Sequence, residues 1–456
     1  GRHIRATVVK ETQAVPRRGE AVETKLQRIA EKALREPAFQ FTSLFHLMNE
    51  ELLRGCFEGL RKDAASGIDR VTKEEYGRNL AINVQGLVSR LHEMSYRPQP
   101  VCRVYIPKPG SSKQRPLGIP ALEDKVVQAG LVRILEAVYE ADFIADSYGF
   151  RPGRGCHDAL RALSVTVESG GVHYIVEADI RGFFDNVEHE WLMKFLGHRI
   201  GDKRVLRYVQ RFLKAGVFEL GEIAATEQGT PQGGVISPLL ANIYLHYSLD
   251  LWYTRVFSRT CGGRSRLIRY ADDFVVCFQQ GNDAQRFRGE LEQRLGLFGL
   301  EVAAEKTKVL EFGPFAASKA KARGEKPQTF DFLGLTHYCS RTRNGRRFRM
   351  KRLTSRKKFR VKLLTFKEWL KANRTTPAPE LMKTVVAKVR GHIAYYGVTD
   401  NSRGIGRYVH EVSKLLFKWL NRRGKRGSLT LEKFCKFLKR FPLPRPLIRV
   451  NLLASK

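Results

Sequence analysis

The sequence predicts an α+β chain: antiparallel strands and helices over most of its length, then helices alone towards the C-terminus. Three observations carry this. Leu267–Tyr270 and Phe274–Phe278 are apolar runs around the short break Ala271-Asp272-Asp273, the pattern of a hairpin. Phe41, Leu44, Phe45, Met48, Leu52 and Leu53 recur on one face if Phe39–Arg61 is helical. Beyond Tyr338 the composition changes: Arg341 to Arg374 holds fifteen lysines and arginines against one acidic residue, Glu368.

Along the chain, residues 1–38 read as a polar extension broken at Pro16-Arg17-Arg18-Gly19, with a helix near Ala21–Leu34. Phe39–Arg61 and Asn79–Met94 read as helices. Val101–Ile106 is a short strand that runs into the turn Pro107-Lys108-Pro109-Gly110-Ser111-Ser112. Asp124–Tyr139 is a helix, His173–Ile180 an apolar β-rich run, and His189–Leu196 a helix. Helices follow the basic segment near Glu380–Tyr395, Arg407–Leu420 and Leu431–Leu438, and Pro442-Leu443-Pro444-Arg445-Pro446 ends them.

At 456 residues, 43% hydrophobic and 10% aromatic, the chain can bury two or three subdomain cores and is not a disordered tail. Its 81 lysines and arginines exceed its 46 acidic residues, a net charge of +35 that favours a polyanionic partner, usually nucleic acid. Seven cysteines without a Cys-x-x-Cys pair argue against a disulfide framework and a structural zinc site. No apolar run is long enough to span a bilayer, and the first 35 residues lack a secretion signal core.

The chemistry centres on carboxylates. Asp179 ends the run Tyr174-Ile175-Val176-Glu177-Ala178, and Asp272 and Asp273 occupy the hairpin tip. If the hairpin lies beside the Asp179 strand, three like charges converge and repel unless a cation joins them. Two divalent ions held by such carboxylates are what nucleotidyl transfer requires. Taken alone, an Asp-Asp pair at a turn is common; the flanking apolar strands and the separate Asp179 strand make it more specific.

Several motifs then follow in one order. Tyr105-Ile106-Pro107-Lys108-Pro109 with Arg115-Pro116-Leu117-Gly118-Ile119-Pro120 comes first, and Tyr148-Gly149-Phe150-Arg151-Pro152-Gly153-Arg154-Gly155-Cys156 second. Ala178-Asp179-Ile180-Arg181-Gly182-Phe183-Phe184-Asp185, Gln228-Gly229-Thr230-Pro231-Gln232-Gly233-Gly234 and Tyr270-Ala271-Asp272-Asp273 come next. Gly299–Lys308, Phe332-Leu333-Gly334-Leu335 and Gly391-His392-Ile393-Ala394-Tyr395-Tyr396-Gly397 complete the series. This order, from about Phe39 to Leu438, resembles the bacterial group II intron-encoded reverse transcriptases, also called maturases.

The resemblance implies a right-hand polymerase: an N-terminal extension (1–38), fingers and palm (39–338), a helical thumb or maturase domain (339–441) and a C-terminal tail (442–456). It implies that Asp179, Asp272, Asp273 and the Ile180 backbone carbonyl hold two Mg²⁺ ions, with Mn²⁺ able to substitute, and that Lys306 assists the leaving pyrophosphate. Lys108 and Arg115, with Lys113 nearby, would grip the dNTP triphosphate, Phe184 would exclude a ribose 2′-hydroxyl, and Gln232 would line the nucleotide pocket. Arg151, Arg154, Lys351, Arg352, Arg356, Lys357 and Lys358 would contact nucleic acid, and Asp185 would cap the following helix. The implied partners are an RNA template with a DNA or RNA primer, dNTPs and group II intron RNA, in the bacterial cytoplasm and away from membranes. The chain lacks the cysteine pairs of the family's C-terminal endonuclease, so a primer from elsewhere is expected. Alternatives are a maturase whose polymerisation is secondary, a host-adapted enzyme of repair or defence, and an RNA-dependent RNA polymerase, against which Phe184 argues.

Overall fold

The computed structural model describes residues 20–107, 114–169, 171–219, 221–225, 227–230, 233–423 and 429–453. Among them the strands are β1 (Val101–Pro107), β2 (Gln114–Ile119), β3 (Tyr174–Ala178), β4 (Val217–Glu219), β5 (Glu222–Ala224), β6 (Ser265–Tyr270), β7 (Asp273–Phe278), β8 (Lys308–Glu311), β9 (Thr329–Phe332), β10 (Leu335–Arg341) and β11 (Phe348–Thr354). They form three sheets, ordered β2-β1-β4-β5, β6-β7-β3-β8 and β11-β10-β9.

The middle sheet is antiparallel throughout and positions the site. Alternation along its strands divides the hydrophobic interior in two. Val176 and Ala178 of β3 and Phe274, Val276 and Phe278 of β7 join a large core with the helices Leu122–Tyr139, Ser237–Leu245 and Gly281–Gly296. Ile175, Val275 and Cys277 face the other way, onto Phe330, Phe332, Leu335 and Met350 of the third sheet and onto the helix Cys156–Glu168. A separate core built on Phe366, Leu381, Val385, Val389, Val412, Leu416 and Trp419 holds the helices Arg356–Ala372, Ala378–Tyr396, Ser402–Leu420 and Leu431–Arg440.

The fold departs from the sequence expectations at four places. Phe39–Arg61 is not one helix: Phe41 bridges Ile200, Phe45–Leu47 is a single 3₁₀ turn, and the α-helix spans only Glu50–Gly59. Asn49 sets its start, its side chain accepting from the Leu52 N–H at 3.0 Å. The helix Glu20–Arg35 buries Val22, Leu26 and Ala33 in the large core, so the described part of the extension is part of that core; residues 1–19 lie outside the described residues. A boundary at 338/339 would cut through β10, which pairs with β11 from Leu335↔Thr354 to Arg341↔Phe348. The helical part therefore starts at Arg356. The segment after the last helix returns to the body: Val450 bridges Val398, and Leu452 is fully buried.

Candidate active site

The sheet register brings the three aspartates together. Ala178 pairs with Phe274, so the next step along both strands sets Asp179 across from Asp273. Tyr270 pairs with Asp273, leaving Ala271 and Asp272 as a two-residue loop. Ala271 has φ +56°, the left-handed value that tight hairpin turns require and that a non-glycine residue adopts at a cost. Two contacts hold it there. The Gly149 backbone lies so close that a Cβ at 149 would sit 2.3 Å from the Ala271 nitrogen, and Arg269 Nη1 donates to the Ala271 carbonyl at 3.0 Å.

Arg269 was not singled out from sequence, yet it organises this corner. Its guanidinium is fully buried and makes a two-nitrogen pairing with the equally buried Asp250, Nε–Oδ1 2.9 Å and Nη2–Oδ2 2.5 Å. Nη1 also donates to Asn242 Oδ1, and Asn242 Nδ2 donates to the Gly149 carbonyl at 2.7 Å. An arginine inside the apolar run Leu267-Ile268-Arg269-Tyr270 was the available signal, because a buried guanidinium needs a partner.

Beyond Asp179, the chain runs against the segment that carries Lys306. Ile180 bridges Val302, but the hydrogen bonds come from its neighbours: Ala303 N–H to the Asp179 carbonyl and Arg181 N–H to the Glu301 carbonyl, both 2.8 Å. This pairing does not use the Ile180 carbonyl. The Lys306 ammonium contacts Asp179 Oδ2.

The carboxylates feel one another. Burial pushes the Asp273 carboxyl up to about 7, against a hydrogen bond from the Leu333 backbone, and the charges of Asp272 and Asp179 raise it further. Asp272 is raised first by burial and then by Asp179, with Arg115 and Arg269 opposing. Glu177, one β-repeat before Asp179, is also pushed up to about 7 by burial and by Asp331 and Asp273. Among the described residues, no three His, Cys, Asp or Glu side chains stand close enough as placed to hold a metal ion. The donor set nevertheless suits a hard cation: all oxygen, all carboxylate, and unfavourable while uncompensated.

Around the aspartates, Phe184 is half-buried and packs edge-on against Phe183 at 5.4 Å. The Phe184 carbonyl accepts from Thr230 N–H at 2.8 Å. Gly229, at φ +85°, passes so near that a Cβ would meet the Asp185 carbonyl at 2.9 Å. Gly233 abuts Gly118 of β2, where a Cβ would meet the Gly118 carbonyl at 2.6 Å. The described parts of this motif thus touch Phe184 and Asp185 at one end and the β1–β2 hairpin at the other. Arg115 is exposed on β2 and acts on Asp272. Lys108, Lys113 and Gln232 lie outside the described residues. On the opposite side, Leu333 (φ +50°) and Gly334 (φ +75°) make the β9–β10 turn beside Asp273, and Tyr395 Oη donates to the Leu333 carbonyl at 3.0 Å.

Three expectations are corrected. Arg352 is fully buried, paired across strands with His337 and donating from Nη2 to Ser164 Oγ at 2.9 Å, so it is not available to a phosphate. The Arg151 side chain is 2% exposed and is consumed by Glu140 and by the carbonyls of Ile144 and Ser147. Asp185 belongs to the 3₁₀ turn Phe183–Asp185; the next helix starts at His189, and no side chain among the described residues caps it. Arg154 is partly exposed and donates to the Ala145 carbonyl. Lys351 is partly exposed, and Arg356, Lys357 and Lys358 are exposed on the first turn of their helix, with Lys358 lowering the Asp273 carboxyl.

An antiparallel sheet carrying three coupled aspartates, a strand hairpin beside it and a basic helical domain after it define a right-hand nucleic-acid polymerase. Residues 106–337, just over half of the chain, match the reverse transcriptase (RNA-dependent DNA polymerase) family, and the chain belongs to it. The protein YkfC of Escherichia coli K12 is 37% identical over 279 residues, covering 53% of this chain and 71% of YkfC. The group II intron-encoded protein LtrA of Lactococcus lactis is 37% identical over 222 residues, which cover 48% of this chain and 37% of LtrA. The mitochondrial nuclear intron maturase 1 of Arabidopsis thaliana is 33% identical over 95 residues, 21% of this chain and 13% of that protein. LtrA agrees with the group II intron resemblance, although the chain spans little more than a third of LtrA's length. Members of the family use divalent metal ions. No helix among the described residues is long and apolar enough to cross a membrane.

Proposed function

We propose that this protein is an RNA-directed DNA polymerase of the group II intron type. The observation that carries the reading is the pairing of Ala178 with Phe274, which leaves Asp179 and Asp273 as the next residues of the two chains, with Asp272 in the adjoining turn. Asp179, Asp272 and Asp273, with the Ile180 carbonyl, would hold two Mg²⁺ ions, or Mn²⁺ in their place. When bound, such ions activate the primer 3′-hydroxyl and neutralise charge on the transferring phosphate.

The chain's own groups do the rest. Arg115 would bind the triphosphate as a forked donor, and Lys108 as a point charge. Phe184 fills the space that a 2′-hydroxyl would need, and Gln232 would contact the base pair. Lys306, whose ammonium contacts Asp179, would give a proton or its charge to the leaving pyrophosphate. Lys351, Arg356, Lys357, Lys358 and Arg154 face the primer–template phosphates. The exposed basic turn that opens the helical domain also supports a second role, binding of group II intron RNA to assist splicing.

The test is primer extension on an RNA template with Mg²⁺ and dNTPs. Asp272→Ala should lower extension by about three orders of magnitude, because metal-held charge is worth several kcal/mol in the transition state. RNA binding should persist. Normal extension by the variant would overturn the assignment. Absence of extension in both proteins, with RNA still bound, would favour the splicing role alone.

A further inference from the structure

The motif Gly391–Gly397 gives Tyr395 to the Leu333 turn beside Asp273, and four of its residues also line a cavity of about 470 Å³ within the helical domain. Its walls are His392, Tyr395, Tyr396 and Tyr408, and Lys362 and Lys388 stand exposed at its rim. That volume lies in the range of small-ligand pockets, about 300–1,000 Å³, and cannot admit a duplex.

His392 is the unusual group. It is 6% exposed, its ring stacks on Tyr408 at 3.5 Å and 11°, and it lies 4.7 Å from the Tyr396 ring. Neither ring nitrogen has a hydrogen-bond partner among the described residues. Packing alone would be served by an apolar ring, since a buried polar atom without a partner is unfavourable. Burial, with the Lys362 charge, pushes the imidazole down to about 3, so at neutral pH it keeps one donor and one acceptor.

Gly391 adds a second observation. It sits inside the helix Ala378–Tyr396, where glycine is a poor choice, and a Cβ there would meet nothing among the described residues within 4 Å. Neither crowding nor a left-handed backbone calls for glycine at this position. What its missing side chain does is leave the mouth of the cavity open.

Aromatic faces, one donor, one acceptor and two rim cations complement the face, edge and phosphate of a single nucleotide. We propose that this cavity receives one unpaired nucleotide of bound RNA, with its base among the tyrosines and against His392 and its phosphate at Lys362 and Lys388. The proposal rests on the RNA-binding reading above and assigns it a second, base-sized contact apart from the three aspartates. It favours RNA that presents a bulged or looped-out base over continuous duplex.

The test is fluorescence anisotropy with a labelled RNA duplex carrying a single-nucleotide bulge and the same duplex fully paired. The native chain should bind the bulged RNA about 10-fold more tightly, the scale of one base–aromatic stack. Gly391→Leu, which fills the mouth with a better helix former, should bring that preference to about unity without lowering the thermal midpoint. His392→Phe keeps the stacked ring but removes both nitrogens, and should also reduce the preference. Equal binding of the two RNAs by the native chain, or a preference that survives both substitutions, would overturn the pocket and leave the RNA-binding reading standing. Binding of neither RNA would overturn both.

Discussion

Arg269 and Asp250 form a fully buried ion pair, and the same guanidinium holds the Ala271 carbonyl of the turn that carries Asp272 and Asp273. Removing one partner of such a pair leaves an uncompensated buried charge, at a cost of about 3–5 kcal/mol. Arg269→Leu should therefore lower unfolding stability by about that amount in urea titrations. Arg269→Lys keeps the charge but loses the fork, so extension should fall while RNA binding persists. A stability loss under about 1 kcal/mol for Arg269→Leu would show that the pair does not form in solution.

The raised carboxyls make stability depend on pH, with a definite sign. Asp273 and Glu177 titrate near 7 in the folded chain, against ordinary values of 3.8 and 4.5. Between those limits the folded state binds more protons than the unfolded one, so stability falls as pH rises through that window and levels off above it. A divalent ion that binds the ionised carboxylates should offset this loss. The rise in melting temperature caused by Mg²⁺ should thus be small near pH 6 and larger near pH 8, and Asp273→Asn should flatten the difference. A Mg²⁺ effect independent of pH, or unchanged in Asp273→Asn, would count against Asp273 as a ligand.

Phe184 is fixed by its backbone, through Thr230 N–H, as well as by its ring against Phe183. Phe184→Ala therefore removes the ring while the carbonyl hydrogen bond remains. Selection of dNTPs over rNTPs should weaken by about 10- to 200-fold, the range for a single steric contact. Competing single-nucleotide incorporation on an RNA template measures the ratio. Unchanged sugar selectivity would return Phe184 to an ordinary packing role.

What could be read in the sequence was local alternation and turn chemistry. The hairpin over 267–278 and the strand ending at Asp179 follow from apolar runs bounded by polar breaks, and the register then brings their tips together. The expected nucleic-acid contact of Arg352 fails because composition alone does not say which face of a strand a residue occupies. On β11 the strand period of two places Arg352 with the buried Met350 and Thr354, and Lys351 on the other face. Helical spacing over 39–61 concealed a break that Asn49-Glu50-Glu51, a helix-start signal, already marked. The pairing of Arg269 with Asp250 spans nineteen residues and two elements, so only the oddity of an arginine in an apolar strand was visible beforehand.

Arg356, Lys357 and Lys358 occupy the first turn of their helix, where cations oppose the helix dipole and the helix itself gains nothing from them. Three exposed positive charges kept at an unfavourable end point to an external anion. If each meets one phosphate of a bound RNA, replacing all three with alanine should make the dependence of log K on log salt shallower by about 2–3, since each contact contributes slightly less than one released counterion. The helix should be no less stable, because alanine is the better former and the dipole conflict is gone. Binding isotherms at several salt concentrations, with melting of the free protein alongside, separate the two effects. A salt slope unchanged by the triple substitution would mean that this turn faces solvent in the complex and that the phosphates are met elsewhere on the chain.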